Sequence, residues 1–235
     1  MKPSADTPTI IITGGFGTLG RAAAQQAVHK GYNIALIDRA PAPTLDSLEL
    51  PASTLLLGDV DLTDKDSANA AIAKVNESFG RIDSLFNIAG GFRWETFNDN
   101  ELDSWDFLFS LNVKTAITAS KAVLPFMLEQ KSGSIVCVSA GAAVKSDLGL
   151  GAYAASKAGV SRFVESLSQE IKDQGIRINA VMPSIIDTAP NRADMPDADF
   201  SAWVSPAALA KVMLFLASSD AEAVTGANIP VVNRC

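Results

Sequence analysis

The stretch TIIITGGFGTLG, residues 9–20, decides the fold. Its first half, TIIIT (9–13), is β-branched throughout and reads as a buried strand. Glycines then fall at 14, 15, 17 and 20, and GTLGRAAAQQAVHK (17–30) continues with the composition of a helix that stops at Gly31. Gly14, Gly17 and Gly20 stand three apart. Without side chains there, the chain can turn tightly and its backbone can admit phosphates at the helix N-terminus. A glycine turn alone is a common strand-to-helix joint. The strand before it and the helix after it supply the context that a dinucleotide site requires. Phe16, Thr18 and Leu19, lying among these glycines, are candidate contacts for the same ligand.

Outward from this turn, short apolar runs alternate with helix-like stretches. Strands are expected at 33–38, 53–58, 84–90, 132–139, 176–182 and 228–232, and helices at 65–80, 152–174 and 205–218. Residues 99–130 read as one long helix or two. Nearly all-apolar strands separated by helices imply a parallel sheet covered on both faces. With right-handed crossovers this is a doubly wound, Rossmann-like, three-layer α/β/α fold, expected as a single domain over 1–235. The proline-rich patch 41–51 reads as a loop. The segment 189–204 reads as a loop long enough to form a lid over a site.

Asp38 closes the second strand, 18 residues after Gly20. A carboxylate there can accept hydrogen bonds from both ribose hydroxyls of an adenosine and would repel a 2′-phosphate, which favours NAD(H). Arg39 follows it and could pair with that phosphate, so NADP(H) stays open.

Bulk composition narrows the function. The net charge of −7 argues against a basic surface for nucleic acid. No apolar run approaches a membrane span, and the N-terminus lacks the apolar core of a signal peptide. Cys137 and Cys235 make no disulfide framework, His29 is the only histidine, and no metal cluster is expected. These features fit a cytoplasmic protein acting on a small molecule.

GAYAASK (151–157) holds one of only two tyrosines, Tyr153, four residues before Lys157. In a helix the two share a face. A phenol with pKa near 10 is a poor acid or base at neutral pH, but a nearby ammonium stabilises its anion. So placed, Tyr153 could exchange a proton with a substrate. The spacing alone is equally that of a packed tyrosine and a solvated lysine.

Four features in order change that balance: the glycine turn, NIAG (87–90) after the fourth strand, LNV (111–113) in a long helix, and Tyr-x-x-x-Lys after the fifth. The chain resembles the short-chain dehydrogenase/reductase family from about residue 9 to its C-terminus. The resemblance implies an NAD(P)(H)-dependent oxidoreductase that moves a hydride between nicotinamide and a small carbonyl, alcohol or quinonoid substrate. Tyr153 would give or take the proton. Lys157 would lower its pKa and hold the nicotinamide ribose, and Asn112 would hold a water of a proton relay. Asn87, Ala89 and Gly90 would line the cofactor. DLTD (61–64) looks like the family's adenine contact, with Asp61 and Leu62 touching the base and Asp59 a nearby competitor for that role. MPSIIDT (182–188) resembles a further family motif, with Pro183, Ile186 and Thr188 near the carboxamide and Ser184 in place of a glycine. The family's long helices pair across a two-fold axis, which implies a homodimer or homotetramer.

The pattern also departs beside the fifth strand. The family carries a serine thirteen residues before the tyrosine, and here that position is Ala140. Ser139 is adjacent, and neighbouring strand residues face opposite ways, so only a one-residue bulge would bring it into place. The lack of this serine, AGG (89–91) followed by Phe92, and the segment IDTAPNRADMPDADFSAW (186–203) are similar to the dihydropteridine reductase branch, which prefers NADH. Phe92, Trp94 and Trp203 could wall a flat ring or simply pack. Met195 and Phe200 could anchor a lid or touch substrate. Two alternatives stand beside this reading: a 3-oxoacyl or sugar/alcohol dehydrogenase using Ser139, and a non-enzymatic NAD(H) sensor or scaffold.

Overall fold

The computed structural model describes residues 7–99 and 101–235. Seven strands form one parallel sheet: β1 (Thr9–Thr13), β2 (Asn33–Ile37), β3 (Leu55–Leu57), β4 (Ser84–Asn87), β5 (Gly133–Val138), β6 (Ile176–Pro183) and β7 (Asn228–Val231). Their order is β3-β2-β1-β4-β5-β6-β7. The expected doubly wound architecture is therefore present. The direction of winding reverses between β1 and β4, and a cleft opens beyond the carboxyl ends of those two strands.

The apolar strand sequences follow from burial on both faces. Within β1, Ile10 and Ile12 pack on one side, with α1 (Thr18–His29) and α8 (Pro206–Ala217). Ile11 packs on the other, with α3 (Lys65–Phe79), α5 (Thr115–Gln130) and α6 (Gly151–Ile171). Glycine ends α3, where Gly80 takes φ 76°, a left-handed conformation without penalty for a residue lacking Cβ.

Two expectations need correction and one open alternative is decided. The 41–51 patch contains a short helix, α2 (Leu45–Leu48), begun by the Thr44 hydroxyl accepting from Ser47 N and anchored by buried Leu48. The stretch read as one long helix or two is two, α4 (Leu102–Phe109) and α5, joined by a π-helical turn over Ser110–Lys114. The 189–204 segment is largely helical. Thr188 caps α7 (Ala189–Asp194), Pro190 sits in its first turn, and a 3₁₀ turn follows at Phe200–Ala202. Threonine caps, joined in α7 by a first-turn proline, outweighed loop-like composition in the two short segments. Among the described residues no helix is long and apolar enough to cross a membrane, and no group of three or more metal-ligating side chains gathers.

Candidate active site

The cleft has a volume of ≈ 540 Å³ and is lined by Gly14, Gly17, Thr18, Leu19 and Gly20 at one end and by Ala89 and Gly90 at the other. Two of the glycines serve the protein's own fold. Gly14 has φ +63°, and a Cβ on it would lie 2.9 Å from Ala89 N. A Cβ on Gly20 would lie 2.3 Å from the Gly14 carbonyl oxygen. Gly17 differs. Its φ is −77°, and an added Cβ would meet only that carbonyl, at 3.4 Å. Protein packing makes little demand for glycine there, so the bare backbone serves the cleft. α1 begins at this point without a side-chain cap, leaving its first-turn amides without one. A diphosphate fits such a cradle by hydrogen bonds and by the helix dipole.

Asp38 is held at the rim. Its carboxylate accepts from Phe16 N and Ala40 N, both at 3.0 Å, and lines the cleft beside Arg39. Phe16 thus contributes its amide, while its ring packs on the core. Asp61 and Leu62 line the same end. The Thr63 hydroxyl and amide, each 2.8 Å from Asp61 Oδ1, hold that carboxyl below its usual range. Asp59 is not among the lining residues; Val60 and Thr63 are.

At the far end a Cβ on Gly90 would lie 2.6 Å from Asn112 Oδ1 and 3.4 Å from Lys157 Nζ. Asn112 is buried in the π-helical turn. Its amide nitrogen donates to Gly91 O (3.1 Å) and Ser156 Oγ (2.9 Å), and its oxygen accepts from Gly91 N (2.8 Å). Both amide hydrogens are engaged with protein, so the side chain organises the Gly90–Gly91 turn. Ser156 in turn donates to Tyr153 O at 2.7 Å. The sequence reading missed Ser156. It also missed Thr13, whose hydroxyl accepts from Ile88 N and Ala89 N at 3.1 Å and ties β1 to the loop after β4. Their partners are remote in sequence, so nothing local marked them.

The electrostatics differ from expectation. Lys157 was expected to pull the Tyr153 phenol down. Instead burial pushes the phenol up to about 12 and the ammonium down to about 8. The ammonium donates to Val138 O at 2.8 Å and lies 5.9 Å from the centre of the Tyr153 ring. Desolvation is the leading cause of both shifts in this arrangement. The lysine has a consequence for stability. Its folded pKa lies below its ordinary 10.5, so the unfolded chain binds the proton more tightly between about pH 8 and pH 10.5. Stability contributed by Lys157 therefore rises with pH through that window. Relative to Lys157→Met, the wild type is expected to gain about 2 kcal/mol between pH 7 and pH 9.5. Urea midpoints at the two pH values measure it, and a pH-independent gap between the proteins removes the claim.

Ser139, Asn87, Ile186 and Pro183 sit elsewhere than their expected roles require, and Trp203 takes the packing alternative. Ser139 is buried behind α6, with its hydroxyl donating to Lys157 O (2.9 Å) and bonded to Ser161 Oγ (2.8 Å). β5 pairs with β6 without a bulge, so Ser139 keeps the orientation that strand alternation gives it. Asn87 also turns inward; its amide donates to Ser120 Oγ at 3.0 Å and to Ala116 O at 3.4 Å, away from the cleft. Trp203 is buried against Phe200, ring centres 4.8 Å apart, and anchors the 189–204 segment. Ile186 pairs with Val204 at the base of that segment and packs on the core. Pro183 is the buried last residue of β6. Of that motif only Thr188 reaches the cleft, together with Pro190.

A parallel sheet whose switch point carries a bare-backbone glycine turn, next to a helix bearing Tyr153 and a buried Lys157, is the arrangement of a dinucleotide-dependent oxidoreductase. Residues 8–199 match the family model described as short chain dehydrogenase, and the chain belongs to that family. It is 33% identical to the 3-oxoacyl-(acyl-carrier-protein) reductase FabG of Thermotoga maritima over 92% of each chain. It is 30% identical to the meso-2,3-butanediol dehydrogenase of Serratia marcescens, over 96% of this chain and 93% of that one. In fold it is similar to NAD⁺-bound xylitol dehydrogenase, with a TM-score of 0.85, 24% identity, and 96% and 98% of the two chains covered.

Proposed function

We propose that this protein reduces a small activated carbonyl with NADH, with Tyr153 as the proton donor. The observation that carries the reading is the meeting of cleft and catalytic helix: Gly90 lines the cleft, and a Cβ there would come within 3.4 Å of Lys157 Nζ. A dinucleotide laid from the Gly14–Gly20 turn to Gly90 would thus end beside α6. The nicotinamide, when bound, supplies the hydride that reaches the carbonyl carbon. The chain's own residues do the rest. The α1 amides hold the diphosphate, Asp38 accepts from the ribose hydroxyls, and Asp61 and Leu62 flank the base. Asn112 and Ser156 fix the Gly90–Gly91 turn against the helix that carries Tyr153. The phenol, protonated at neutral pH, gives its proton to the substrate oxygen.

Ala140 bears on the substrate. With no hydroxyl there and Ser139 bonded behind α6, a carbonyl in the site lacks the second donor that would polarise it. This favours substrates already electron-poor, of the quinonoid kind suggested by the likeness to dihydropteridine reductase, over a dehydrogenase relying on Ser139. A sensor or scaffold would have no use for the Tyr–Lys pair. Self-association through α5 and α6 belongs to the same proposal, since Ile117, Leu124, Phe163 and Leu167 line a shallow hollow between them.

The test is consumption of NADH and NADPH with a panel of diketones, quinones and simple ketones. Failure with every substrate and both cofactors removes the reading. The expected preference is for NADH by at least tenfold in kcat/KM, because the anchored Asp38 carboxylate repels a 2′-phosphate. Asp38→Ser is expected to shrink that preference by about tenfold, roughly 1.4 kcal/mol. A wild type that prefers NADPH would instead assign the phosphate to Arg39.

A further inference from the structure

We infer that Phe92 and Trp94 form a ring-binding wall beside Tyr153 that selects carbonyl substrates bearing an aromatic ring. The inference rests on the reading of Tyr153 as proton donor and specifies the substrate class. The Phe92 ring meets the Tyr153 ring edge-on, with centroids 4.9 Å apart and an interplanar angle of 78°. Yet Phe92 is 54% exposed and Trp94 55%. One large ring against the Tyr153 ring, and a second over the Gly149 turn that leads into its helix, thus keep half their surface in water, an arrangement that favours an apolar ligand.

The rings stand on fixed backbone. Gly91 N donates to Asn112 Oδ1 at 2.8 Å, Glu95 N to Gly149 O at 3.0 Å, and the Trp94 indole to Leu148 O at 3.0 Å. The indole lies so close over Gly149 that a Cβ there would come 2.3 Å from Trp94 Cε2, at a residue with φ +74°. Glycine at 149, two residues before the catalytic helix begins, is what lets the indole lie there. Arg93, between the two rings, is turned away: its guanidinium lies 4.1 Å from the centre of the Phe107 ring and donates to Ser104 Oγ at 2.9 Å. Its charge is therefore directed at α4 and not at the space beside the rings. A ring attached to the reacting carbonyl would lie against Phe92 and Trp94 while its oxygen meets the phenol. In the reaction the carbonyl carbon takes a hydride from NADH, the π pair moves to oxygen, and that oxygen takes the Tyr153 proton.

Diacetyl and acetylbenzoyl test this. Both are α-diketones, so Ala140 weighs alike on both, and they differ by a phenyl in place of a methyl. The full chain with NADH is expected to show at least tenfold higher kcat/KM for acetylbenzoyl. Phe92→Leu and Trp94→Leu are each expected to cut that ratio at least fivefold. Binding is read separately by calorimetry on the complex with NAD⁺, which cannot reduce a diketone. There acetylbenzoyl is expected to bind at least tenfold tighter than diacetyl, and Phe92→Leu to erase most of the difference. Equal binding of the two diketones, or a difference that survives both substitutions, overturns the wall. A binding difference that disappears in the variants supports it, even where turnover fails with both diketones and the Tyr153 reading falls.

Discussion

Tyr153→Phe is expected to lower kcat by about 10²- to 10⁴-fold, the usual contribution of a positioned general acid, with the Kd for NADH changed less than threefold. The substitution removes one hydroxyl and leaves the ring, so the edge contact with Phe92 and the Ser156 bond to the residue 153 carbonyl are retained. The loss should therefore appear in the chemical step and not in folding or cofactor binding. Burial, by holding the phenol near 12, keeps it protonated at pH 7 and leaves little phenolate to act as a base. Reduction should accordingly vary little with pH between about 6 and 9, whereas alcohol oxidation, which needs the phenolate, should accelerate as pH rises. Steady-state rates in both directions, with fluorescence titration of NADH, decide the matter. A variant retaining wild-type kcat takes Tyr153 out of the mechanism.

The second large effect separates two glycines three residues apart. Gly20→Ala is expected to destabilise the fold by about 3 kcal/mol or more, because the new Cβ meets only backbone, the Gly14 carbonyl at 2.3 Å and Gly15 Cα at 2.8 Å. Neither atom can move without reshaping the turn between β1 and α1. Gly17→Ala is expected to change stability by less than about 1 kcal/mol, since its φ suits alanine and its nearest neighbour is at 3.4 Å. Its methyl would instead enter the cleft, and the Kd for NADH is expected to rise at least tenfold. Urea unfolding and NADH titration of both variants measure the contrast. Comparable stability losses with unchanged cofactor affinity would mean that the turn serves folding alone.

Much of this protein is legible in local sequence. β1 occupies the five residues expected of TIIIT, and the glycine ending α3 lies where its sequence implied. Strand and helix periodicity, glycine spacing and the Tyr–Lys interval are short-range properties, so they place the sheet, the glycine turn and α6. The short helices were harder to see. α2 and α7 depend on a threonine cap each, within segments whose prolines suggested loops.

Only the tertiary structure decided which way each polar group faces and what it costs to bury it. Ser139 and Ala140 are adjacent in the chain, yet whether a hydroxyl reaches the substrate depended on β5 running without a bulge and on Lys157 O and Ser161 waiting behind it. Asn87 belongs to the NIAG run, but Ser120 and Ala116 on α5 draw its amide away from the cleft. The Tyr–Lys interval likewise said nothing of their ionisation, because desolvation is set by everything packed around a group and not by its distance along the chain. Chain neighbours determine secondary structure through a few residues' sterics and hydrogen bonds. Orientation and pKa arise from contacts between segments that only folding brings together.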